Sequence, residues 1–373
     1  MTKLSKVEPT MTKMDADLVI IPEQLHARIP GGIGVYTKNV LRALIDESAR
    51  LNLALRIYGS RRVARPDPFD NYGAPVTYSR LSNRLLLRSW DSSLIKIPKA
   101  TRGTMSLSMA GPGANLDGRT AFTVYDLAFR KYPHTMTSRG VRWHEDRLRK
   151  IRESTAMVVT ISEQTIAELI QEGFDSDRLC LAPPGSNHLG EPNNEMAQAL
   201  LLKLNIRSHY LITVGTLEPR KNLDRLFEAF SIYRTETKSD VILLVVGPAG
   251  WGESVNPKEG IILAGRVDDA VLCGLLDNAL ALVYVPIYEG FGLPPLEAMS
   301  RSIPVVASPM PSTSFRTSII VDPLSSTDIA RGIAEVMDDS FERANLVLNG
   351  SVFASSTTWE NAASKILDAM LLR

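Results

Sequence analysis

A chain of 373 residues with 44% hydrophobic content is long enough for two cores, because a single core stops growing near ~250–300 residues. Net charge is +1, and the two cysteines, Cys180 and Cys273, have no metal-ligand spacing and no disulfide framework, which excludes a cysteine-stapled scaffold and fits a reducing compartment, by default the cytoplasm. No apolar run approaches the ~20 residues of a membrane span, and no aromatic-interleaved basic groove points to nucleic acid.

Residues 1–14 are polar, lack an apolar signal core and read as a disordered leader, with Met11 or Met14 as alternative starts. Residues 17–21 read as the opening strand. Pro30-Gly31-Gly32-Ile33-Gly34-Val35-Tyr36-Thr37 reads as a strand-to-helix turn, with a helix over 34–44. Further strands are expected at 53–58, 105–109, 121–125, 156–161 and 178–181, and Ser162 is suited to cap a helix that ends before Gly173. Residues 189–194, rich in Gly, Pro and Asn, read as an interdomain connection. Beyond it, strands are expected at 211–214, 241–246, 261–263, 280–285, 303–307 and 319–321, with helices between them and a last helical pattern over 359–371. Strand and helix alternate in both halves, which predicts an α/β protein of two doubly wound, Rossmann-like domains, 15–190 and 191–355, followed by residues 356–373.

The halves differ in charge. Residues 1–190 hold 27 basic and 19 acidic side chains, whereas 191–373 hold 15 and 22, so the first half is the basic one. Its densest stretch is Arg139, Arg142, Arg147, Arg149, Lys150 and Arg152, on a segment that also reads as helix. This surface fits anionic lipid headgroups as well as it fits a solvated helix salted by Glu145, Asp146 and Glu153.

The most informative segment is Tyr288-Glu289-Gly290-Phe291-Gly292-Leu293-Pro294-Pro295-Leu296-Glu297-Ala298-Met299. It follows a buried-strand pattern, and Pro294 and Pro295 are tolerated only in the first turn of a helix over 293–300. Glu289 therefore lies in the loop outside a strand's carboxyl end and Glu297 within the first turns of the next helix, the crevice where open α/β sheets bind ligands. A carboxylate accepts two hydrogen bonds from vicinal hydroxyls of a ribose or hexose, and the amides of Gly290, Phe291, Gly292 and Leu293 suit a phosphate.

This segment resembles the E-x7-E signature of the retaining glycosyltransferases of sequence family 4, which have the two-domain GT-B architecture. Thr213-Val214-Gly215-Thr216-Leu217-Glu218-Pro219-Arg220-Lys221-Asn222-Leu223 resembles the family's donor diphosphate segment, and Pro30 to Thr37 its glycine loop. The matches occur in family order and span nearly the whole chain.

The resemblance implies a hexosyltransferase whose donor is a nucleotide sugar, either GDP-mannose or a UDP- or dTDP-sugar, with GDP-mannose favoured by the Gly-Thr-Leu-Glu-Pro-Arg-Lys-Asn run. The acceptor would be a glycan or lipid-linked sugar of a cell-surface polysaccharide, met in the cytoplasm or at the inner face of the membrane. Glu297 would hold the ribose and Glu289 the transferred sugar, with Gly32 and Gly34 giving amides from the opposite domain. Arg220 and Lys221 would meet the charge of the leaving diphosphate; Thr216 stands where the family often has Arg, so Arg220 substitutes for it. Phe122-Thr123-Val124-Tyr125-Asp126-Leu127 resembles a segment that often reads Val-His-Asp-Leu, so Tyr125 replaces a His. A phenol mostly donates a hydrogen bond, which leaves Asp126 to orient the acceptor hydroxyl or donor sugar and Tyr125 as a secondary contact or packing. No metal or other cofactor is expected, since Asp15-Ala16-Asp17 matches an Asp-x-Asp pattern only at the frayed start of a strand. The last helix would cross back onto the first domain. Other readings are a nucleotide-sugar epimerase or sugar-phosphate synthase on the same fold, or a non-catalytic nucleotide-sugar-binding partner subunit.

Overall fold

The computed structural model describes residues 16–27, 31–62, 66–91, 100–112, 119–250, 256–338 and 340–372. The expected leader and Asp15 of the Asp-x-Asp match lie outside the described residues. The chain builds two parallel sheets. In the first, β1 (Ala16–Ile21), β2 (Leu55–Gly59), β3 (Val76–Tyr78), β4 (Ala100–Ser106), β5 (Thr120–Val124), β6 (Met157–Thr160) and β7 (Leu179–Leu181) lie in the order β3-β2-β1-β4-β5-β6-β7. In the second, β8 (Tyr210–Val214), β9 (Ile242–Val246), β10 (Ile261–Gly265), β11 (Leu282–Tyr284), β12 (Val305–Ala307) and β13 (Ile319–Ile320) lie in the order β10-β9-β8-β11-β12-β13. Every adjacent pair is parallel, as crossover helices require.

Helices α1 (Gly31–Arg50), α2 (Asn83–Asp91), α3 (Ala128–Lys131), α4 (Ser138–Arg152) and α5 (Glu163–Gln171) belong to the first sheet. The second carries α6 (Asn194–Lys203), α7 (Leu223–Thr237), α8 (Asp269–Asp277), α9 (Leu293–Ser300), α10 (Ser326–Met337) and α11 (Phe341–Ser356). The final helix, α12 (Trp359–Leu371), packs on α1, β4 and β7 of the first sheet. Its Trp359, Ile366 and Met370 are buried, with the Trp359 ring 5.5 Å from that of Tyr36. This is the two-domain Rossmann-like α/β fold called GT-B.

Runs of apolar residues and threonine explain the strands: β5 is buried at every position and β8 at all but its last, because helices cover both faces of each sheet. In both sheets the strand order reverses at one place, between β1 and β4 and between β8 and β11, and loops leaving the two flanking strands diverge there to open a crevice.

Two local expectations are corrected. Helix α1 starts at Gly31 instead of 34, so Gly32 joins Gly34 in its first turn, which presents the amides of that turn without intrahelical partners. The fourth strand runs over Ala100–Ser106 instead of 105–109, because the exposed Thr101 and Arg102 in its first half interrupt the apolar pattern.

The chain crosses between domains twice, and the crossings are bonded to each other. Ser186 donates its amide to Thr357 O at 3.0 Å and its hydroxyl to Ala354 O at 2.7 Å. Asn187 accepts from Trp359 N at 3.1 Å and donates to Glu360 Oε2 at 2.9 Å.

Candidate active site

The second domain supplies a charged cluster at its switch point. After β8 the chain makes a single turn of 3-10 helix, Pro219–Lys221, then enters the left-handed region at Asn222 with φ 59° before α7 begins. The Asn222 side-chain amide donates to Val285 O at 3.0 Å and Pro323 O at 2.7 Å, fixing the turn against the loops after β11 and β13. Arg220 and Lys221 are thereby aimed at Glu289. Lys221 Nζ lies 2.6 Å from Glu289 Oε1, the Tyr284 hydroxyl donates to the same oxygen at 2.8 Å, and Arg220 Nη1 approaches it at 2.9 Å. Arg220 also donates to Tyr288 O at 2.9 Å and to Glu218 Oε1 at 2.8 Å.

The electrostatics follow from that convergence. Burial pushes the Glu289 carboxyl up, but the charges of Lys221 and Arg220 outweigh burial and hold it down at about 2, so it is ionised at neutral pH. Arg220 stays charged despite burial because Glu289, Asp126 and Glu218 surround it. Burial, then the Glu289 charge, pushes the Tyr284 phenol well above its usual range, which keeps it a hydrogen-bond donor. Thr216 lines a small pocket beside Lys221 with Gly215 and Tyr284.

Glu297 lies one turn into α9, buried, and faces a different partner: His188 Nε2 stands 3.0 Å from its Oε1. Gly292, at φ 98°, starts that helix where a side chain would collide with Met310 Sδ and Ser312 Oγ. Phe291 is buried beside it, and Leu293 begins the helix. Ser302, which follows α9 at φ 59°, occupies a left-handed position, which is the physical reason a glycine suits that place.

The first domain closes over this surface. Gly290 passes so near β5's end that a Cβ on it would sit 2.5 Å from Tyr125 O and 2.9 Å from Asp126 Cβ. The half-buried Asp126 accepts from Ala128 N at 2.9 Å. Burial raises its pKa, the Arg220 charge opposes the rise and the Glu289 charge adds to it. Tyr125 directs its hydroxyl away from the cleft, donating to Leu107 O at 2.7 Å within the first-domain core and lying 3.3 Å from Thr37 Oγ1. Its backbone rather than its phenol meets the Gly290 loop, so the packing alternative describes the side chain and no proton-transfer role rests on it. Gly32 lies opposite Leu293, whose Cδ1 would be 3.6 Å from a Cβ there, so the first turn of α1 faces the start of α9. Gly34, in the same turn, is buried. Helix starts concentrate positive potential, and those of α1, α7 and α9 border the cluster.

A second cross-domain contact was not foreseen. The Tyr288 hydroxyl donates to Glu168 Oε2 at 2.8 Å, Lys131 Nζ pairs with the other Glu168 oxygen at 2.5 Å, and Leu127 N lies 3.4 Å from the same hydroxyl. Glu218, Tyr284 and Tyr288 stood within or beside the motifs, but Glu168 and His188 carry no local signal. Among the described residues no group of three or more His, Cys, Asp or Glu side chains is disposed to hold a metal ion, and no helix is long and apolar enough to cross a membrane. The basic helix is largely spent internally. Arg147 is buried and donates to Met109 O and Gly111 O, Arg149 and Lys150 pair with Asp146, and Arg152 donates to Glu172 O, whereas Arg139 and Arg142 are exposed.

Comparison with known proteins agrees with this geometry. Residues 202–353 match the family described as Glycosyl transferases group 1. The O-antigen chain mannosyltransferase B of Escherichia coli is 28% identical over 268 residues, 68% of this chain and 70% of that protein. The serotype-specific mannosyltransferase WbdA of the same organism is 25% identical over 236 residues, 58% of this chain but only 29% of that protein, so the chain spans under a third of its length. Among solved structures, Anabaena Alr3699/HepE in complex with UDP and glucose superposes with a TM-score of 0.71 over 96% of this chain and 100% of that one at 14% identity, a likeness of fold. Residues 202–353, most of the second domain, thus resemble the group 1 glycosyl transferases, and the chain as a whole is similar to mannosyltransferases at 25–28% identity.

Proposed function

We propose that the protein transfers mannose from GDP-mannose to a growing O-antigen-type glycan or lipid-linked acceptor, with retention of anomeric configuration. One observation carries the reading: Arg220, Lys221 and Glu289 converge at the second domain's switch point, opposite Asp126 of the first. The relatives' names support mannose and the O-antigen product; the UDP-bound neighbour supports a nucleotide-sugar site.

In this reading the donor diphosphate shares Arg220 and Lys221 with Glu289, which stay charged when the leaving group gains charge. Glu289, ionised and held by three donors, accepts from hydroxyls of the transferred sugar, and Glu297 from those of the nucleotide ribose. Amides at the starts of α1 and α9 face the phosphates, with Gly290, Phe291, Gly292 and Leu293 on one side and Gly32 and Gly34 on the other. Asp126 orients the acceptor hydroxyl. The hydroxyl attacks on the face the diphosphate leaves, a phosphate oxygen takes its proton, and the protein contributes position and charge. Because two cations meet the leaving group, the transfer needs no metal, and chelator should leave the rate unchanged.

The test is calorimetric titration with GDP-mannose, GDP, UDP-glucose and UDP, followed by transfer to lipid-linked acceptors with the product's anomeric configuration read by NMR. Tight binding of UDP-glucose alone would overturn the mannose assignment, and an inverted product the retaining one. The same reading locates the enzyme at the inner face of the membrane through Arg139 and Arg142. Vesicles rich in anionic lipid should retain the protein at low salt and lose it in an Arg139→Glu, Arg142→Glu variant.

A further inference from the structure

His188 belongs to neither Rossmann domain proper: it lies in the connection between β7 and α6, directly after the two residues that bond the outgoing crossing to the returning one. Its side chain is nonetheless only 6% exposed, and its Nε2 stands 3.0 Å from Glu297 Oε1. A carboxylate accepts only, so Nε2 must carry the hydrogen, which fixes the imidazole's tautomer or charge state at that atom. The ring packs edge-on to Trp359, 5.6 Å between centroids, at the start of α12. Its Nδ1 is buried with no hydrogen-bond partner among the described residues, as is the indole Nε1 of Trp359. A buried imidazole that spends one nitrogen on a carboxylate and has no partner for the other is not arranged for stability alone.

We infer that His188 is a positioning residue for the donor nucleotide: it holds the Glu297 carboxylate in the orientation that receives the vicinal ribose hydroxyls, and it ties that orientation to the interdomain connection. This rests on the reading in which Glu297 takes the ribose. The reasons are geometric. Among the described residues the Glu297 carboxylate has one side-chain partner, His188, whereas that of Glu289 has three. Without the imidazole the Glu297 side chain is free to rotate about its χ angles, and a bidentate contact to two hydroxyls is lost when its acceptor oxygens are not fixed. Trp359 and the Asn187 contacts in turn fix the imidazole, so the ribose subsite is assembled from the connection, α9 and the start of α12 together.

The experiment compares GDP and UDP with their dideoxyribose counterparts, which lack both vicinal hydroxyls, by titration calorimetry on the full chain. Wild type should prefer the ribose form. In His188→Ala that preference should fall by about tenfold, the worth of one hydrogen bond to a charged group, while affinity for the dideoxy form is unchanged because Arg220 and Lys221 still bind the diphosphate. His188→Gln, whose amide nitrogen can donate to the same oxygen, should restore most of the preference. A His188→Ala variant that keeps the full preference, or that weakens ribose and dideoxyribose forms equally, overturns the inference. Absence of any preference in wild type overturns the ribose assignment of Glu297 and the inference with it.

Discussion

Glu289 and Glu297 stand eight residues apart in one motif, on the same side of the same sheet, yet the fold gives them opposite surroundings. Glu289 receives Lys221, Arg220 and Tyr284 on a single oxygen and is held at about 2. Among the described residues Glu297 pairs with one imidazole and with no Lys or Arg side chain. A carboxylate fixed by two cations is a charge element whose position changes little as a neighbouring diphosphate gains charge. A carboxylate fixed by one neutral or singly charged ring is a recognition element with acceptor capacity to spare. Under the proposed function, the difference divides identical side chains of one signature into transition-state and ground-state work according to what the rest of the chain sends to meet them.

Kinetics can break that division. Lys221→Ala removes a cation from the leaving-group side and should lower kcat/KM for the donor by ~10²–10³, mostly through kcat, as loss of one stabiliser of developing charge does. Glu297→Ala should act on donor KM, by roughly thirty-fold, with kcat nearly kept. If both variants change the same parameter to the same degree, the division is false. Gly290→Ala places a methyl group 2.5 Å from Tyr125 O, so it should prop the domains apart, lower kcat about tenfold and raise the radius of gyration seen by small-angle scattering. An unchanged scattering curve would mean the loop yields instead of the cleft.

Acid titration sharpens the same contrast. The folded Glu289 carboxyl lies at about 2 against the ordinary 4.5, so its contribution to stability is whole above ~4.5 and is lost as pH falls through about 2. Glu289→Gln should flatten that limb of a stability-against-pH curve measured by denaturant midpoint, and an acid limb identical to wild type would show that the ion pairs do not form in solution. The smallest effect belongs to Tyr288→Phe, which removes one buried cross-domain hydrogen bond to Glu168 and should cost ~1 kcal/mol in urea unfolding.

The fold class was legible because strand and helix alternate with apolar runs long enough to be buried on both faces, and the start of α9 was legible because two prolines leave only a first helical turn open to them. β3 was not: Val76–Tyr78 is three half-buried residues at a sheet edge, too short for a period to show. The charged cluster could be read as a group because Arg220, Lys221 and Glu289 each sit in a local pattern. His188 reaches Glu297 across 109 residues and Glu168 reaches Tyr288 across 120, distances over which spacing carries no information. Tyr125 shows the complementary limit: its replacement of a His was visible in the sequence, but the direction of its hydroxyl depends on Leu107 O, 18 residues away and outside every motif.

The paired crossings at Ser186–Asn187 and Ala354–Glu360 have a mechanical meaning. Two separate straps at a distance would resist twist in every direction, and one strap would resist almost none. Two straps laced side by side behave as the spine of a book: the covers swing about one line but do not slide along it. Under the proposed function, a transferase that releases a spent nucleotide from one cover and its product from the other would open about that line and return both faces to the same alignment, with no separate device to re-register them.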